Sequence, residues 1–214
     1  MSKSFIAVLD HEHLENSIFL TSFARSLAQL GDRKGIVIHG DSPYTDRLIQ
    51  TGMMREDARL RAIKDLNKRL IGLFADQGIS TIGVHGFQKG LIKKSGEDIE
   101  LDLKALNVLH SVPNLLISNL AEENGDPVHV PLPYFAKQVS QSIKETEILL
   151  FSKNEKDEIL ITESKDQLKW GDISDSSVEN SIPDEFRDFG FPVKITTATD
   201  FANWPNLKKV TLIQ

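Results

Sequence analysis

Cysteine is absent from this chain of 214 residues. Without thiols, neither a disulfide framework nor a thiolate metal site can form, and a cytoplasmic location is expected. The chain also lacks an apolar run of roughly 20 residues, the length that crosses a bilayer. Charged side chains interrupt its N-terminal segment too early for a signal peptide. We therefore expect neither a signal peptide nor a membrane partner.

Clusters of basic residues are missing as well. The chain carries 31 acidic and 25 basic residues, for a net charge of −6. The run at residues 64–69 mixes both signs, which is typical of a solvated helix face. A nucleic-acid partner is therefore not expected. With 40% hydrophobic and 26% charged residues, the composition is that of an ordinary globular protein.

Short apolar runs alternate with helical patterns along most of the chain, without an internal repeat or a linker. This alternation predicts a mostly parallel sheet covered on both faces, within one domain over residues 1–214. The polar segment 166–188 is predicted to be an exposed loop with a short helix or two. The predicted strands are 5–9, 36–38, 79–84, 91–94, 98–101, 112–117, 147–151, 159–162, 193–198 and 210–213. The predicted helices are 14–30, 44–50, 56–77, 103–109 and 134–144.

The stretch 35–46 reads as a buried strand, a glycine-containing turn and the start of a helix. Ser42 is the expected N-cap, and Pro43 suits the first helical turn. The free N–H groups and the dipole of a helix start favour anions, so this turn predicts a phosphate or carboxylate site. Asp41, however, places a negative charge in the same turn.

Two histidines, His39 and His85, each end a buried strand beside a glycine, Gly40 or Gly86. Ligands of open α/β proteins bind at the carboxyl ends of strands, so both histidines are candidates for ligand contact. The alternative is that each ring is hydrogen-bonded to loop backbone. The glycines, likewise, either approach a ligand or allow the turn.

The turn after the first strand is Asp10-His11-Glu12-His13. A His-x-His pattern flanked by carboxylates offers metal ligands. No further ligand cluster is visible in the sequence, and a solvated polar loop is the alternative interpretation.

Several segments occur in an order that resembles the amino-acid kinase family, and within it the acetylglutamate kinases. These segments are Ile38-His39-Gly40, Asn67-Lys68, the strand 82–86 with Gly90-Leu91-Ile92, and the strand 147–153. The resemblance covers roughly residues 5–155, with a weaker match from residue 190 onward.

This resemblance implies a three-layer α/β/α sandwich on a mainly parallel sheet. It implies a substrate-side half at residues 1–120, a shortened nucleotide-side half at 121–214, and a homodimer. The implied activity belongs to arginine biosynthesis. It is transfer of the γ-phosphoryl group of ATP, with Mg²⁺, to the carboxylate of an N-acylated amino acid.

The resemblance also implies roles for individual residues. Lys194 matches the family's late lysine, which contacts the phosphates, although a surface lysine is the alternative. Gly190, Ser152 and Lys153 fall on the nucleotide side. The implied substrate-binding residues are His39, Gly40, Asp41, Ser42, Arg55, His85 and Gly86.

The chain departs from the family's catalytic pattern at several points. No Lys-Gly-Gly follows the first strand, only Gly40 stands in the second turn, and Pro133 occupies the position of a catalytic aspartate. Losing one charge-stabilising group commonly costs about 10²–10³ in rate. A catalytically inactive small-ligand-binding or subunit-interaction module is therefore the alternative function. A third is different chemistry in the same cleft, using His39, Asp41 and His85.

Overall fold

The computed structural model describes residues 4–31, 33, 35–109, 114–143, 145–153, 167–173 and 181–214. The predicted strand at 159–162 lies outside these residues, as do parts of the polar segment 166–188. Each predicted helix and strand within them is present, with ends no more than three residues from the prediction.

The strands and α-helices are numbered in chain order. The strands are β1 (Ser4–Leu9), β2 (Gly35–His39), β3 (Thr81–His85), β4 (Ile92–Ser95), β5 (Asp98–Leu101), β6 (Asn114–Ser118), β7 (Leu120–Glu123), β8 (Asp126–His129), β9 (Thr146–Phe151), β10 (Gln167–Leu168), β11 (Val193–Thr196) and β12 (Val210–Ile213). The α-helices are α1 (Ser17–Gln29), α2 (Tyr44–Gln50), α3 (Arg55–Asp76), α4 (Leu103–Leu109) and α5 (Leu132–Ser142). None of these described helices has the length and apolar character needed to cross a membrane.

Eight of the described strands form one large sheet in the order β10-β12-β11-β9-β1-β2-β6-β3. Neighbouring strands in it run parallel, except that β11 and β12 are antiparallel. Helices α1 and α3 pack on one face of this sheet, and α5 packs on the other. The predicted α/β sandwich on a mainly parallel sheet is therefore confirmed.

A smaller sheet, in the order β5-β4-β7-β8, stands beside the large one. Its two hairpins, β4–β5 and β7–β8, are antiparallel. The second hairpin ends at His129, which brings that residue to the edge of the large sheet where the site is formed.

Strand β1 shows why the central strands are continuous apolar runs. All six of its residues are buried, because helices cover both faces of the sheet. Phe5, Ala7 and Leu9 face the layer of α1 and α3, whereas Ile6 and Val8 face that of α5.

Gly35 lies opposite Phe5 in the β1–β2 register. A Cβ atom on Gly35 would lie 1.9 Å from Cζ of Phe5, so no larger residue fits there. The Phe5 ring also meets the rings of Phe201 and Trp204 edge to face, with each pair of centroids 5.1 Å apart. Glycine begins β2 because an aromatic cluster occupies the space of its side chain.

The parallel strands end together at one edge of the sheet, called here the carboxyl edge. The residues at this edge are Leu9, His39, His85, Ser118, Phe151 and Thr196. The turns that follow β1, β2 and β9 carry the polar residues of the candidate site.

Candidate functional site

A cavity of about 410 Å³ lies at the carboxyl edge. The turns after β1 and β2, the first turns of α2 and α3, the end of β8 and a short 3₁₀ helix form its walls. Its volume falls within the about 300–1,000 Å³ that is usual for small-molecule sites. Six carboxylates line the cavity: Asp10, Glu12, Asp41, Asp46, Asp184 and Glu185. Two arginines, two histidines and one threonine complete the lining: Arg55, Arg59, His11, His129 and Thr45.

Asp41 sits between two basic groups in this cavity. His11 Nδ1 lies 3.4 Å from Asp41 Oδ1, and Arg59 Nε donates to Asp41 Oδ2 at 3.4 Å. Partial burial alone would raise the pKa of Asp41, but His11, His129 and Arg59 outweigh it and lower that pKa. The hydrogen bond that His11 donates to Asp41 in turn raises the pKa of His11, against the effect of burial. The aspartate predicted in the anion turn is therefore neutralised by neighbouring protein groups.

His129 is the second histidine of the cavity. Burial, together with the positive charge of Arg59, lowers its pKa below the ordinary value, so the ring is neutral at pH 7. The cavity thus places a neutral histidine and a more basic one, His11, around the same aspartate.

His13 forms a buried pair with Asp10. Its Nδ1 lies 2.5 Å from Asp10 Oδ2, and its Nε2 donates to the backbone carbonyl of Ser152 at 3.1 Å. Burial would lower the pKa of His13, but the hydrogen bond and charge of Asp10 and the Ser152 carbonyl together raise it. Because both partners are acceptors, the ring carries two protons.

This arrangement separates the two histidines of the His-x-His pattern. His13 bonds to Asp10, whereas His11 turns to Asp41. Within the described ranges, no group of three or more histidine or acidic side chains is placed to hold a metal ion. The structure therefore gives no support to a metal site at residues 10–13, and it replaces the solvated-loop interpretation for His13 with a buried ion pair.

Ion pairs and hydrogen bonds connect the turn after β1 to the 3₁₀ helix Asp184–Phe186. Lys153 Nζ lies 2.7 Å from Asp184 Oδ1 and 3.2 Å from Glu12 Oε2. The backbone N–H of Asp184 donates to Glu12 Oε1 at 3.0 Å, and that of His11 donates to Glu185 Oε1 at 2.9 Å. These contacts hold the 3₁₀ helix against the edge between β1 and β9.

Lys153 is fully engaged in these contacts. Desolvation would lower the pKa of its ammonium, but the hydrogen bonds and charges of Asp184 and Glu12 outweigh it and raise that pKa. Lys153 belongs to the residues predicted to bind a nucleotide. Here its charge is neutralised by two carboxylates of the same chain.

A second cavity, of about 200 Å³, adjoins Lys153 on the side of α1. Its lining includes Ser152 and Lys153, both predicted for the nucleotide side, and Phe19 and Thr197. The volume is below the about 300–1,000 Å³ of usual small-molecule sites. Gly190, the other residue predicted for this role, lies apart from the cavity, in the chain before β11, with a φ of +60°.

His39 is fully buried, and both of its ring nitrogens are bonded within the fold. Nδ1 donates to the carbonyl of Gly40 at 2.9 Å, and Nε2 accepts from Asn67 Nδ2 at 3.0 Å. Burial lowers the pKa of His39 to about 4. The geometry favours the interpretation of a histidine hydrogen-bonded to loop backbone over ligand contact.

His85 is partly buried at the end of the edge strand β3. Its Nδ1 lies 2.9 Å from Ser118 Oγ, and its ring stacks on Phe87 with centroids 5.7 Å apart. Burial and the charges of Lys64 and Lys68 lower its pKa. Neither His85 nor His39 is among the residues that line the 410 Å³ cavity.

The two predicted ligand glycines face protein atoms. A Cβ on Gly86 would lie 2.2 Å from the backbone oxygen of Leu120, and one on Gly40 would meet Asn119 and Leu132 at 3.5 Å. The hairpin strand β7 therefore requires a glycine at position 86. Neither glycine opens toward a phosphate-sized space.

Ser42 lies one residue before Pro43, the assigned N-cap position of α2. Its hydroxyl accepts the N–H of Tyr44 at 3.3 Å, and its carbonyl accepts the N–H of Thr45 at 2.9 Å. Because Pro43 is already in a helical conformation, with φ −52°, the predicted capping contact of Ser42 is present.

Lys194 lies on β11, away from these turns. Its Nζ is 2.9 Å from Glu147 Oε1, and Glu147 is in register with Phe5, toward the amino ends of the strands. The structure does not bring Lys194 together with Gly40 and Gly86. This placement favours a structural ion pair over a contact with phosphates.

Of the predicted site residues, Asp41 and Arg55 line the 410 Å³ cavity. Arg55 begins α3, is exposed, and makes no ion pair with any described residue. Thr45 is only 3% exposed, yet its hydroxyl has no hydrogen-bond partner among the residues that the structure describes. The sequence patterns did not point to Thr45, Arg59, His129 or Glu185 as site residues. The four-residue spacing of Arg55 and Arg59 on one helix face was the available signal.

The donor set of the carboxyl edge does not fit ATP with Mg²⁺. Phosphoryl transfer needs lysines and open glycine N–H groups around the phosphates. Among the residues that the structure describes, no lysine lines the 410 Å³ cavity, carboxylates outnumber arginines in its lining, and Gly40 and Gly86 are buried.

Solved structures of several proteins share this fold. Isopentenyl phosphate kinase aligns over 99% of this chain and 100% of its own, with 12% identity and a TM-score of 0.64. A protein of Streptococcus mutans UA159 aligns over 100% of this chain and 99% of its own, with 12% identity and a TM-score of 0.70. N-acetylglutamate synthase from Neisseria gonorrhoeae, complexed with coenzyme A and L-arginine, matches 99% of this chain at 16% identity and a TM-score of 0.64. This chain spans 61% of the synthase chain.

At this level of identity, the likeness shows the fold alone. The sequence matches no protein-family model, and no curated protein is similar enough in sequence to count as a relative. The amino-acid-kinase-like fold is thus confirmed, whereas the closer likeness to acetylglutamate kinase stays a prediction.

Proposed function

We propose that this protein binds a small carboxylate in the 410 Å³ cavity and does not transfer phosphoryl groups. The observation that carries the proposal is the ion pairing of Lys153. Its Nζ lies 3.2 Å from Glu12 Oε2 and 2.7 Å from Asp184 Oδ1. A kinase needs a cation free at this edge for the phosphates, and here the chain itself neutralises it.

Arg55 supports the binding half of the proposal. Its guanidinium lines the cavity and has no ion-pair partner among the described residues. Arginine binds carboxylates through two parallel hydrogen bonds, which makes a free guanidinium a specific carboxylate site.

An acetylglutamate-kinase-like activity is the rival function. It is favoured by the shared fold with isopentenyl phosphate kinase and by the order of the family-like segments. The missing lysine–glycine loop and the covered glycines count against it.

Calorimetry with ATP and Mg²⁺, together with a phosphoryl-transfer assay on N-acetylglutamate, separates the two functions. We expect neither heat nor transfer from the folded protein. Saturable nucleotide binding with turnover of N-acetylglutamate would overturn the proposal in favour of the kinase.

Thermal unfolding with small carboxylates tests the binding half. A ligand at about 100 times its Kd stabilises the folded state by about 2.7 kcal/mol. We expect Arg55→Gln to abolish the rise in Tm. Arg61→Gln is the matched control, because Arg61 lies on the same helix and pairs with Asp65 outside the cavity. Equal loss in both variants, or no loss in either, would contradict a site at Arg55.

A further inference from the structure

We infer that the 410 Å³ cavity catalyses proton transfer at the carbon next to a carbonyl group of a small carboxylate, with 2-oxo acids as the substrate class. The inference rests on the proposed function and adds a reaction to the carboxylate site. The observation that carries it is a pair of histidines, His11 and His129, that line one cavity together with Asp41.

His11 is held by two contacts that leave one ring nitrogen for a substrate. Its backbone N–H donates to Glu185 Oε1 at 2.9 Å, and its Nδ1 lies 3.4 Å from Asp41 Oδ1. Nε2, on the other side of the ring, has no hydrogen-bond partner among the described residues. The side chain lines the cavity and is 36% exposed, so the ring is accessible to a ligand. A carboxylate on one imidazole nitrogen orients the ring and supports a proton on the other, as a general acid requires.

His129 reaches the same cavity from the end of β8 and is partly buried. Within the part of the chain that the structure describes, neither of its ring nitrogens is hydrogen-bonded. Burial and the charge of Arg59 lower its pKa, so one ring nitrogen carries a free lone pair at pH 7. A neutral imidazole without a partner in the fold is available as a general base.

The two histidines therefore supply an acid and a base in one cavity at the same pH. Asp41 raises the pKa of His11, whereas burial and Arg59 lower the pKa of His129. Acid–base catalysis uses titratable groups whose surroundings move their pKa values apart.

The side chains of the cavity favour proton transfer over covalent catalysis. The chain has no cysteine, and the one hydroxyl among the described lining residues, that of Thr45, is buried. A histidine can remove a proton from carbon where an adjacent carbonyl takes up the charge and an acid protonates the carbonyl oxygen. Arg55, the first residue of α3, binds the carboxylate of such a substrate.

The step balances without an oxidant, a reductant or a second substrate. A ring nitrogen of His129 takes a proton from C3 of the 2-oxo acid, and the electron pair of that C–H bond forms the C2–C3 double bond. The π electrons of the C2–O bond take the proton of His11 Nε2, which gives the enol. His129 is then protonated and His11 is neutral. After His129 has exchanged its proton with water, the reverse step returns a solvent-derived proton to C3.

Hydrogen–deuterium exchange in D₂O, followed by proton NMR, tests the inference. The substrate probe is 2-oxobutanoate; butanoate lacks its carbonyl, and butan-2-one lacks its carboxylate. We expect the folded protein to speed exchange at C3 of 2-oxobutanoate by about 100-fold or more, the lower end of what a positioned acid or base contributes. Butanoate is expected not to exchange, and butan-2-one is expected to exchange more slowly than 2-oxobutanoate.

Variants assign the roles. His11→Gln and His129→Gln are each expected to slow exchange by about 10²–10⁴. His85→Gln is the matched control, because His85 lies at the same edge outside the cavity, and its rate is expected to stay unchanged. Arg55→Gln is expected to raise KM for 2-oxobutanoate more than it lowers kcat, because it removes a binding contact. Circular dichroism verifies that each variant is folded.

The pH profile gives a readout that a merely structural role would not move. Exchange needs a neutral His129 and a protonated His11, so the rate rises with pH through the pKa of His129 and falls through that of His11. The charged groups around the two rings are Asp41, Asp46, Glu185, Glu56 and Arg59. Asp41→Asn removes the carboxylate that raises the pKa of His11, so the falling limb is expected to move to lower pH. An unmoved falling limb would overturn the role of His11 as the acid.

The outcomes separate this inference from the proposed function. If calorimetry shows that 2-oxobutanoate binds through Arg55 but its C3 protons exchange no faster than in buffer, the inference is overturned and the proposed function stands. Unchanged exchange in the His11 and His129 variants overturns the inference in the same way. If exchange depends on both histidines but not on Arg55, the proposed carboxylate site is overturned and the proton-transfer step stands. If 2-oxobutanoate neither binds nor exchanges, both are overturned.

Discussion

The turn after β1 and the end of the neighbouring strand β2 each bury a histidine, yet they hold these two rings in opposite protonation states. His13 is paired with the carboxylate of Asp10, which raises its pKa above the ordinary value against the effect of burial. His39 faces the amide of Asn67, and burial lowers its pKa to about 4. Burial near the same edge of the sheet therefore does not give two histidines similar chemistry.

The difference lies in the partners of each ring. A carboxylate and a backbone carbonyl only accept hydrogen bonds, so both nitrogens of His13 must donate. The amide N–H₂ of Asn67 donates, so Nε2 of His39 must accept and the ring stays neutral.

Asp10→Asn removes the negative charge that pairs with His13 in the turn after β1. Removing one partner of a buried ion pair typically costs about 3–5 kcal/mol, and Asp10 is 1% exposed. We expect urea unfolding at pH 7 to show a loss of this size. Asp46→Asn, an exposed carboxylate of the same cavity, is the control, and its effect is expected to stay within about 0.5 kcal/mol. Similar losses in both variants would contradict a special role for the Asp10–His13 pair.

His13 and His39 are expected to make the free energy of unfolding depend on pH in opposite directions. His39 has a folded pKa of about 4 and an ordinary pKa of about 6.5, so the unfolded chain binds more protons between these values. Stability is therefore lost as pH falls from about 6.5 to about 4, by an amount on the order of 3 kcal/mol for this group. His13, with its raised pKa, contributes stability that is present at low pH and lost as pH rises through the folded value.

NMR titration of the ring protons measures both values directly. We expect His13 to titrate above its ordinary range and His39 to stay neutral until the pH approaches about 4. In unfolding experiments, His39→Asn is expected to remove the acid-side loss and leave the alkaline-side loss in place. A His39 ring that titrates near 6.5 would refute the buried neutral assignment.

Gly86→Ala tests whether the glycines at the carboxyl edge serve the fold. Because the new Cβ would lie 2.2 Å from the backbone oxygen of Leu120, the hairpin must shift. Overpacking of this kind typically costs about 1–3 kcal/mol. Gly40→Ala is the matched variant. Its nearest neighbours lie at 3.5 Å, and its expected change is within about 0.5 kcal/mol. Equal effects on thermal unfolding would show that the close contact at Gly86 is unimportant.

Thr45→Val has the smallest expected effect on stability. The substitution removes a buried hydroxyl that has no partner among the described residues. The free energy of unfolding, measured with urea, is therefore expected to stay the same or to rise slightly. A marked loss of stability would show that the hydroxyl already has a partner in the folded protein.

The strands and helices were predictable because local patterns determine them. Buried runs such as that of β1, and the helical spacing of α3, are visible in the sequence without tertiary information. The carboxyl-edge position of Asp41 followed from the same patterns, because a parallel strand directs its following turn to a known edge.

Side-chain pairing could not be predicted in the same way. His129 reaches the cavity from a separate small sheet, and Glu185 from a 3₁₀ helix far along the chain. Lys153 was assigned to the nucleotide side through the family resemblance, and the sequence does not show the two carboxylates that neutralise it. Whether a charge is free or paired depends on contacts between distant segments, which no local pattern encodes.

The glycine beneath the ring of Phe5 has a consequence for how the sheet assembles. Of the alignments open to β1 and β2, the observed one sets a residue without a side chain against that ring. A slip of one residue would move the turn after β2 by about 3.3 Å and turn its side chains to the opposite face. Asp41 would then lose its 3.4 Å contacts with both His11 and Arg59. Gly35, at the other end of β2, thus fixes the strand register on which the geometry of the cavity depends, although Gly35 does not line the cavity.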